Sequence, residues 1–319
     1  GECPENLKLT VLDEKGHTLV SYQADKPEIK PIPDPAKAAL DPKQISSMEQ
    51  LFLTGHHLEQ YRHATYLPMD YYMEALSRDE GDIRCNNAVG LLLMRRGRFA
   101  EAQKYFERAI KTQTERNPNP YDGEPYYNLG WSKKMQGDVD GAYDAFFKAT
   151  WNAAWQDAGY MGLAQIDMMR GDYAYGLEHI DRSLYRNWLN HKGRQLKVSF
   201  LRKMGDYESA RKLIAESLQF DKFNMGCRFE AYLINLLQGC NEEAAAVKAE
   251  MKALMRGAVH SYMEYAIDYA AAGMYDEASQ LLGFITEDTE TTYPMVYYAL
   301  GQSVILIAIT ATSATTMSF

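Results

Sequence analysis

Small and apolar residues return at fixed positions along the chain, and residues 123–154 give the clearest example. This stretch, GEPYYNLGWSKKMQGDVDGAYDAFFKATWNAA, contains two short segments separated by Gly137-Asp138. In each segment the small and apolar residues recur at helical spacing. These positions are Leu129 and Gly130 in the first segment, and Ala142, Phe146 and Ala149 in the second. The pattern predicts two helices joined by a short turn.

Other parts of the chain can be laid on this hairpin. The glycine between the two helices recurs with one interval of 40 residues and then four of 34, as Gly97, Gly137, Gly171, Gly205, Gly239 and Gly273. Small or apolar residues late in the second helix follow the same intervals, as Ala75, Ala109, Ala149, Ser183, Ser217, Met251 and Ile285. Residues 117–123 are the expected place of a six-residue insertion. Because the turn glycines and the residues late in the second helix follow the same intervals, the sequence predicts a repeated helical hairpin.

The turn glycines have a physical reason. A short reversal between antiparallel helices commonly needs a residue with φ > 0, which glycine adopts without a Cβ penalty. The next residue can cap the second helix, and we expect Asp138, Asp172 and Asp206 to do so.

The small and bulky residues of the hairpins also have predicted partners. We expect Gly90 and Gly130 on first helices to face Ala102 and Ala142 on second helices. Bulky residues should fill the layer between hairpins, at Phe106, Phe146, Ile180, Ile214 and Leu282.

The pattern predicts four regions. Residues 1–24 alternate apolar and polar residues around a DEKG turn, which predicts a β-hairpin. Residues 25–43 contain five prolines and predict an extended linker. Residues 44–301 hold the repeats, whose degenerate first unit has a first helix predicted at 51–65 and a second beginning near Pro68. In residues 302–319 the helical pattern stops, and we expect an atypical, β-prone tail.

Leu129-Gly130 and the Ala142-x3-Phe146 spacing make residues 44–301 resemble the tetratricopeptide repeat family. The resemblance implies an all-α, right-handed superhelical solenoid of about six to seven helical hairpins. Three segments, LFLTGHHLEQYRHATY, NPNPYDGEPYYNLG and AFFKATWNAAWQDAGY, resemble the C-terminal repeat region of large bacterial proteins in which a galactose-mutarotase-like β-sandwich precedes the repeats. That resemblance implies that residues 1–24 are the remnant of such a sandwich. The abrupt start at Gly1 leads us to expect a fragment or a processed form.

Composition narrows the choice of partners. The formal charge is −9 at pH 7, which argues against nucleic acid or an anionic membrane as the main partner. The four cysteines show no metal-binding spacing and are expected to be free thiols. No nucleophile elbow, phosphate loop or dinucleotide motif occurs, so we expect no catalysis, cofactor or metal. The sequence leaves the compartment open.

Two side-chain groups have a functional and a structural interpretation. His56, Glu59 and His63 could share one helical face as a metal or proton-transfer site, or could be polar residues of a capping helix. Trp151, Asn152 and Trp155 could form a platform for sugar, or a bulky wedge between hairpins. In both cases the structural interpretation is favoured.

The inner face formed by first helices is the most informative surface, because solenoids of this kind bind partners there. The register predicts a partner-binding groove on this face lined by Asn87, Tyr127, Trp131, Met161, Gln165 and Gln195. The predicted function is an interaction scaffold that binds a protein or peptide. The alternatives are an accessory, substrate-contacting arm of a larger carbohydrate-active protein, and a structural module for oligomerisation.

Overall fold

The computed structural model describes residues 3–26, 28, 31–32, 34, 37–61, 64–119, 121–286 and 293–316, with the side chains of the last helix as far as residue 306. The chain divides into two compact units, Gly1–Asp41 and Pro42–Phe319.

The first unit contains the predicted β-hairpin. Strand β1 (Lys8–Leu12) pairs antiparallel with β2 (Thr18–Gln23). The carboxylate of Asp13 holds the turn, because Oδ1 accepts from the amide of His17 at 2.7 Å and Oδ2 lies 2.9 Å from Nδ1 of the same histidine. These hydrogen bonds lower the pKa of Asp13. Every residue of both strands is exposed, so neither face of the hairpin forms a core.

The second unit is all-α in its described residues. Its helices are α1 Met48–Tyr61, α2 Pro68–Arg78, α3 Ile83–Met94, α4 Phe99–Thr114, α5 Glu124–Met135, α6 Val139–Ala149, α7 Gln156–Arg170, α8 Tyr173–Arg186, α9 His191–Lys203, α10 Tyr207–Phe220, α11 Met225–Leu237, α12 Asn241–Met255, α13 Val259–Ala271, α14 Tyr275–Thr286 and α15 Pro294–Thr316. Consecutive helices pair into seven hairpins from α1–α2 to α13–α14, and α15 follows. The all-α solenoid and its N-terminal β-hairpin are therefore confirmed.

The predicted turn glycines all adopt the left-handed conformation. Their φ angles lie between 71° and 83°, at Gly97, Gly137, Gly171, Gly205, Gly239 and Gly273. Asp138 and Asp206 cap the following helices, accepting from the amides of Gly141 at 2.9 Å and Ser209 at 3.0 Å. The prediction for Asp172 is wrong, because its side chain accepts no capping hydrogen bond from α8.

A phenylalanine ring fills the layer between the third and fourth hairpins. Phe146 is fully buried. A Cβ added to Gly130 of its own hairpin would lie 2.7 Å from the ring, and one added to Gly162 of the next hairpin 2.9 Å. The glycines therefore make room for a phenylalanine. The atoms nearest to a Cβ at Gly130 belong to Phe146 and not to the predicted Ala142, which is itself fully buried.

The other repeat positions agree with the predicted register. The residues late in the second helices are buried at Ala75, Ala109, Ala149, Ser183, Ser217, Met251 and Ile285. The predicted layer residues are buried as well, at Phe106, Ile180, Ile214 and Leu282. In the first hairpin, α1 ends at Tyr61, short of the predicted 65, and α2 begins at Pro68 as expected. The four cysteines are free thiols, and burial raises the pKa of Cys227 to about 12.

The last helix continues beyond the point where the sequence pattern predicts an end. Helix α15 begins at Pro294 and runs to Thr316, so the described part of the predicted β-prone tail is helical. Val296 is fully buried, and the hydroxyl of Ser303 donates to the carbonyl of Ala299 at 3.0 Å. Among the helices that the structure describes, none is both long enough and apolar enough to span a membrane.

Candidate functional site

The seventh hairpin reaches back across the inner face, which we define as the face formed by α5, α7, α9 and α11. Lys134 on α5 donates to the carbonyl of Ala271 at the end of α13, at 2.8 Å. Ion pairs also join α9 to this hairpin: Lys192 to Asp268 at 2.7 Å, Arg202 to Glu277 at 3.0 Å and Lys203 to Glu277 at 2.6 Å. The inner face is therefore partly covered by the chain itself.

One cavity remains between these elements, and we call it the inner pocket. Its volume is about 350 Å³. Helices α5, α7, α13, α14 and α15 supply its lining, which is Trp131, Lys134, Met135, Met169, Met263, Ala266, Ile267, Ala270, Ala271, Tyr275, Leu282, Ala299, Gln302, Ser303 and Leu306. Three of the apolar side chains remain well exposed, at 53% for Met135, 39% for Met169 and 54% for Ile267. The pocket is thus an accessible apolar surface.

Lys134 is the cation of the inner pocket. Its Nζ donates to Gln165 Oε1 at 2.9 Å, in addition to the carbonyl of Ala271, and lies 4.7 Å from the centre of the Trp131 ring. Burial lowers the pKa of Lys134 to about 7, because the charged form loses its hydration. This amine therefore changes charge near neutral pH.

Trp131 stands between the pocket and the hairpin core. Its ring packs edge-on against Phe146 at 5.7 Å and against Tyr127 at 6.4 Å, and the other side of the residue lines the pocket. Tyr127 also contacts Trp155 at 5.1 Å, and burial raises its pKa. Trp131 thus contacts the hairpin core and also lines the inner pocket.

The six residues predicted for the groove differ in how far they are exposed. Asn87 is 8% exposed and accepts a hydrogen bond from Asn128 at 2.9 Å. Gln165 and Gln195 are 7% and 3% exposed. Tyr127 and Met161 are partly buried, and Trp131 reaches the inner pocket. The three amide side chains of the predicted groove are therefore buried in the solenoid and offer little surface to a partner.

A buried ion network lies on the same side of the solenoid. Glu230 is fully buried and accepts from Arg202 at 2.6 Å, Ser199 at 2.7 Å and Tyr269 at 2.8 Å. Burial opposes the charge of Arg202, but the carboxylates of Glu230 and Glu277 raise its pKa. Burial also raises the pKa of Tyr269, and Glu230 adds to this effect. The network fixes α9, α11 and α13 beside the pocket.

The described members of the other two candidate groups contact neighbouring protein residues. Glu59 pairs with Arg95 and accepts from the hydroxyl of Tyr72 at 3.1 Å, while His63 lies outside the described residues. Among the residues described, no cluster of metal-ligating side chains is found.

The tryptophans at the end of the third hairpin are occupied by protein contacts. Trp155 donates its ring N–H to Asp122 at 2.9 Å. The ring of Trp151 is covered by the ammonium of Lys148 at 3.3 Å from its centre. These contacts favour the interpretation of the group as packing residues.

Comparisons with known proteins agree with this architecture. A family model described as a tetratricopeptide repeat matches residues 83–115, which cover α3 and α4. A tetratricopeptide repeat protein from Parabacteroides merdae is similar in structure, with a TM-score of 0.56 at 11% identity, covering 81% of this chain and 98% of that one.

Two further solved structures are similar. The structure of pilF from Pseudomonas aeruginosa gives a TM-score of 0.54 at 17% identity, covering 66% of this chain and 92% of that one. The C-terminal part of a tetratricopeptide repeat-containing protein from Cytophaga hutchinsonii gives 0.53 at 11% identity, covering 79% and 98%. The fold is therefore that of tetratricopeptide repeat solenoids.

The repeat register does not predict most of the pocket lining. It places Trp131 in the predicted groove, and Trp131 lines the inner pocket. It gave no role to Met169, or to the part of α15 that closes the pocket. The pocket depends on contacts between the seventh hairpin and α5, such as the one between Lys134 and Ala271. A 34-residue sequence period shows which residues repeat, but it does not show which distant hairpins contact each other.

Proposed function

We propose that this chain is a protein-interaction scaffold and that a partner inserts apolar side chains into the inner pocket. The observation that carries the proposal is the pocket itself: an accessible cavity of about 350 Å³ with exposed methionine and isoleucine side chains beside a tryptophan. Flexible methionines adapt to different partner shapes, and tryptophan is enriched among residues that dominate binding energy. Tetratricopeptide repeat solenoids support such a scaffold role in general.

Trp131 is the residue expected to matter most. Trp131→Ala should weaken binding of a partner peptide by about 2 kcal/mol, roughly thirtyfold in Kd. The peptide is obtained by selecting a displayed peptide library on the whole chain. Affinity is then measured by calorimetry for the wild type and the variants.

A matched control separates binding from folding. Trp151→Ala removes a tryptophan that is 53% exposed and lies outside the pocket lining, so it should leave peptide affinity unchanged. Because Trp131 also contacts Phe146, thermal unfolding of both variants is recorded. Equal affinities for Trp131→Ala and the wild type, or equal losses for the two tryptophan variants, would contradict the proposal.

A further inference from the structure

Helix α15 repeats a motif that the third hairpin carries on its first helix. The sequence Tyr-Tyr-Asn-Leu-Gly at residues 126–130 of α5 returns as Tyr-Tyr-Ala-Leu-Gly at residues 297–301 of α15. On α5 both tyrosines are partly buried and the glycine is buried. On α15 the glycine is exposed, and the side chain of Tyr298 is 66% exposed. The same motif is thus largely covered on α5 and largely exposed on α15.

Glycines on the first helices of three hairpins make room for an aromatic ring of the second helix. A Cβ added to Gly55, Gly90 or Gly130 would lie within 2.7 Å of a ring atom. A Cβ added to Gly301 would meet no described heavy atom within 4 Å. Gly301 therefore offers to another helix the kind of space that an aromatic ring fills in these hairpins. The rings in the three hairpins belong to Tyr72, Phe106 and Phe146, respectively.

Gly301 belongs to a row of exposed residues that we name the α15 face: Pro294, Tyr298, Gly301 and Ile305. Their spacing of four, three and four residues places them on one side of the helix. The side chain of Ile305 is 61% exposed. None of the four residues lines the inner pocket. The α15 face is therefore a different surface from the one used in the proposed function.

The order of large and small residues makes the α15 face complementary to itself. In an antiparallel pair of α15 helices with a twofold axis between residues 299 and 300, residue 298 of one copy faces residue 301 of the other, and residue 294 faces residue 305. Each Tyr298 ring then lies against the Gly301 of the other copy, and each Ile305 lies against a Pro294. A twofold interface requires this kind of match, because both copies present the same surface. The glycine also lets the two helices approach closely.

Charge favours the same pairing. Residues 294–316 contain no acidic or basic side chain, whereas the whole chain has a formal charge of −9. Two copies with the same net charge repel each other. A face without charges is therefore the one on which two copies can approach with the least repulsion. A partner that recognised α15 through ion pairs would find no charged side chain on this helix.

We propose that the α15 face binds a second copy of this chain, forming a symmetric dimer in which the two α15 helices pack antiparallel. Each Tyr298 ring fills the space beside Gly301 of the other copy, as Phe146 fills the space beside Gly130 within the third hairpin. The face extends over about three helical turns. Such an interface is small, so the dimer should form reversibly at micromolar concentrations.

Sedimentation equilibrium of the whole chain tests for the dimer. Between about 1 and about 200 μM the chain should change reversibly from monomer to dimer. Salt at about 0.5 M should not weaken the dimer, because it screens the repulsion between the copies and the α15 face contains no ion pair to disrupt. A chain that remains monomeric at every concentration, one that forms larger aggregates instead of a dimer, or a dimer that salt dissociates would overturn the inference.

Single variants locate the interface. Tyr298→Ala should raise the dimer Kd by at least about tenfold, because it removes the ring from the centre of the contact. Gly301→Leu should raise it as much, because the side chain fills the space that the ring needs. Leucine favours a helix over glycine, so this variant should keep its circular dichroism spectrum. Tyr185→Ala is the matched control, because this tyrosine is 85% exposed on α8. Equal effects of the two tyrosine variants would overturn the inference.

Exchange of the two central residues tests the symmetry of the pair. The double variant Tyr298→Gly, Gly301→Tyr should dimerise within about threefold of the wild type. In an antiparallel pair each ring again faces a glycine, although each position alone has lost its original residue. A different helix as the occupant of the α15 face would gain nothing from this exchange. A double variant that dimerises as weakly as Gly301→Leu would overturn the inference.

Cross-linking tests the direction of the two helices. The variants Pro294→Cys and Ile305→Cys are prepared in a chain whose exposed Cys3 is replaced by serine. A short bismaleimide should join the two variants when they are mixed. Each variant alone should react little, because the two copies of one residue then lie about 16 Å apart along the helix axes. The Cys3→Ser chain without a new cysteine is the control. Stronger cross-linking of each variant to itself than to the other would show a parallel pair and overturn the inference.

Discussion

The third and fourth hairpins meet around an aromatic ring, whereas the fifth, sixth and seventh meet around buried charges. At the first contact, Phe146 lies between Gly130 and Gly162 with no room for a Cβ on either glycine. At the second, Glu230 accepts hydrogen bonds from Arg202, Ser199 and Tyr269. Hairpins of the same kind are thus joined by close packing around an aromatic ring at one contact and by buried ion pairs and hydrogen bonds at the other.

The two contacts differ in range as well as in chemistry. The ring of Phe146 contacts residues of its own hairpin and the next one. Glu230 joins α9 to α13, and through Arg202 it is connected to Glu277, 75 residues from Arg202. Shape complementarity therefore stacks successive hairpins, while the ion network holds the returning seventh hairpin against the inner face. The second contact therefore lies among the helices that bring the seventh hairpin beside the inner pocket.

The largest expected effect is the loss of the central carboxylate. Glu230→Ala should lower the free energy of unfolding by about 3–5 kcal/mol, because it removes one of the two carboxylates that pair with the buried guanidinium of Arg202 and also removes the acceptor of Tyr269. Chemical denaturation monitored by circular dichroism measures the loss. An exposed pair provides the control: Glu178→Ala breaks the ion pair with Arg182 on the surface of α8, and should cost less than about 1 kcal/mol. Similar losses in the two variants would show that burial of the network has no special effect.

Steric contact at Phe146 should give the next largest effect. Gly130→Val adds side-chain atoms where a Cβ alone would lie 2.7 Å from the ring, so overpacking should cost about 2–3 kcal/mol. The same substitution in a Phe146→Leu background should cost less, because the aromatic ring is gone. Denaturation of the two single variants and the double variant measures this coupling. Additive losses would mean that Gly130 is required for some reason other than the ring.

This comparison explains how far the sequence could be interpreted. The left-handed turns and the buried layer at Phe146 were predicted because each depends on residues within one repeat period. The partners of Gly130 were predicted only in part, since a 34-residue pattern shows that a position is small without showing what fills the space. The closure of the pocket could not be predicted from the sequence. Lys134 and Ala271 lie four hairpins apart, and their contact depends on the sum of the rotations between successive hairpins.

The buried amine of the inner pocket should make stability depend on pH. The pKa of Lys134 is lowered to about 7 in the folded chain, from 10.5. Between these values the unfolded chain binds more protons, so the contribution of Lys134 to stability rises as the pH rises from 7. Below pH 7 Lys134 is mainly charged in the folded chain, and burial of this charge destabilises the folded chain. Lys134→Met removes this dependence.

Denaturation at two pH values measures this dependence. The stability difference, Lys134→Met minus wild type, should be more positive at pH 6 than at pH 9, by roughly 1–2 kcal/mol after allowance for partial exposure to the pocket. The lost hydrogen bonds to Gln165 and Ala271 affect both pH values alike and cancel in the comparison. Lys133→Met is the control, because Lys133 is the neighbouring residue and pairs with Asp138 at 2.9 Å. A difference that does not change with pH would show that Lys134 remains charged throughout.

The smallest expected effect concerns the glycine turns, which occur in the hairpins of both contacts. Gly171 has φ of 76°, and a Cβ added there would meet no heavy atom within 4 Å. A substitution should therefore act through backbone conformation alone. Gly171→Val should cost about 1–2 kcal/mol, because a β-branched residue is penalised in the left-handed region. Gly171→Asn should cost less, since asparagine is the non-glycine residue that adopts this conformation most readily. Thermal denaturation of the two variants tests this order. Equal losses would show that side-chain size, and not the sign of φ, makes glycine necessary between the hairpin helices.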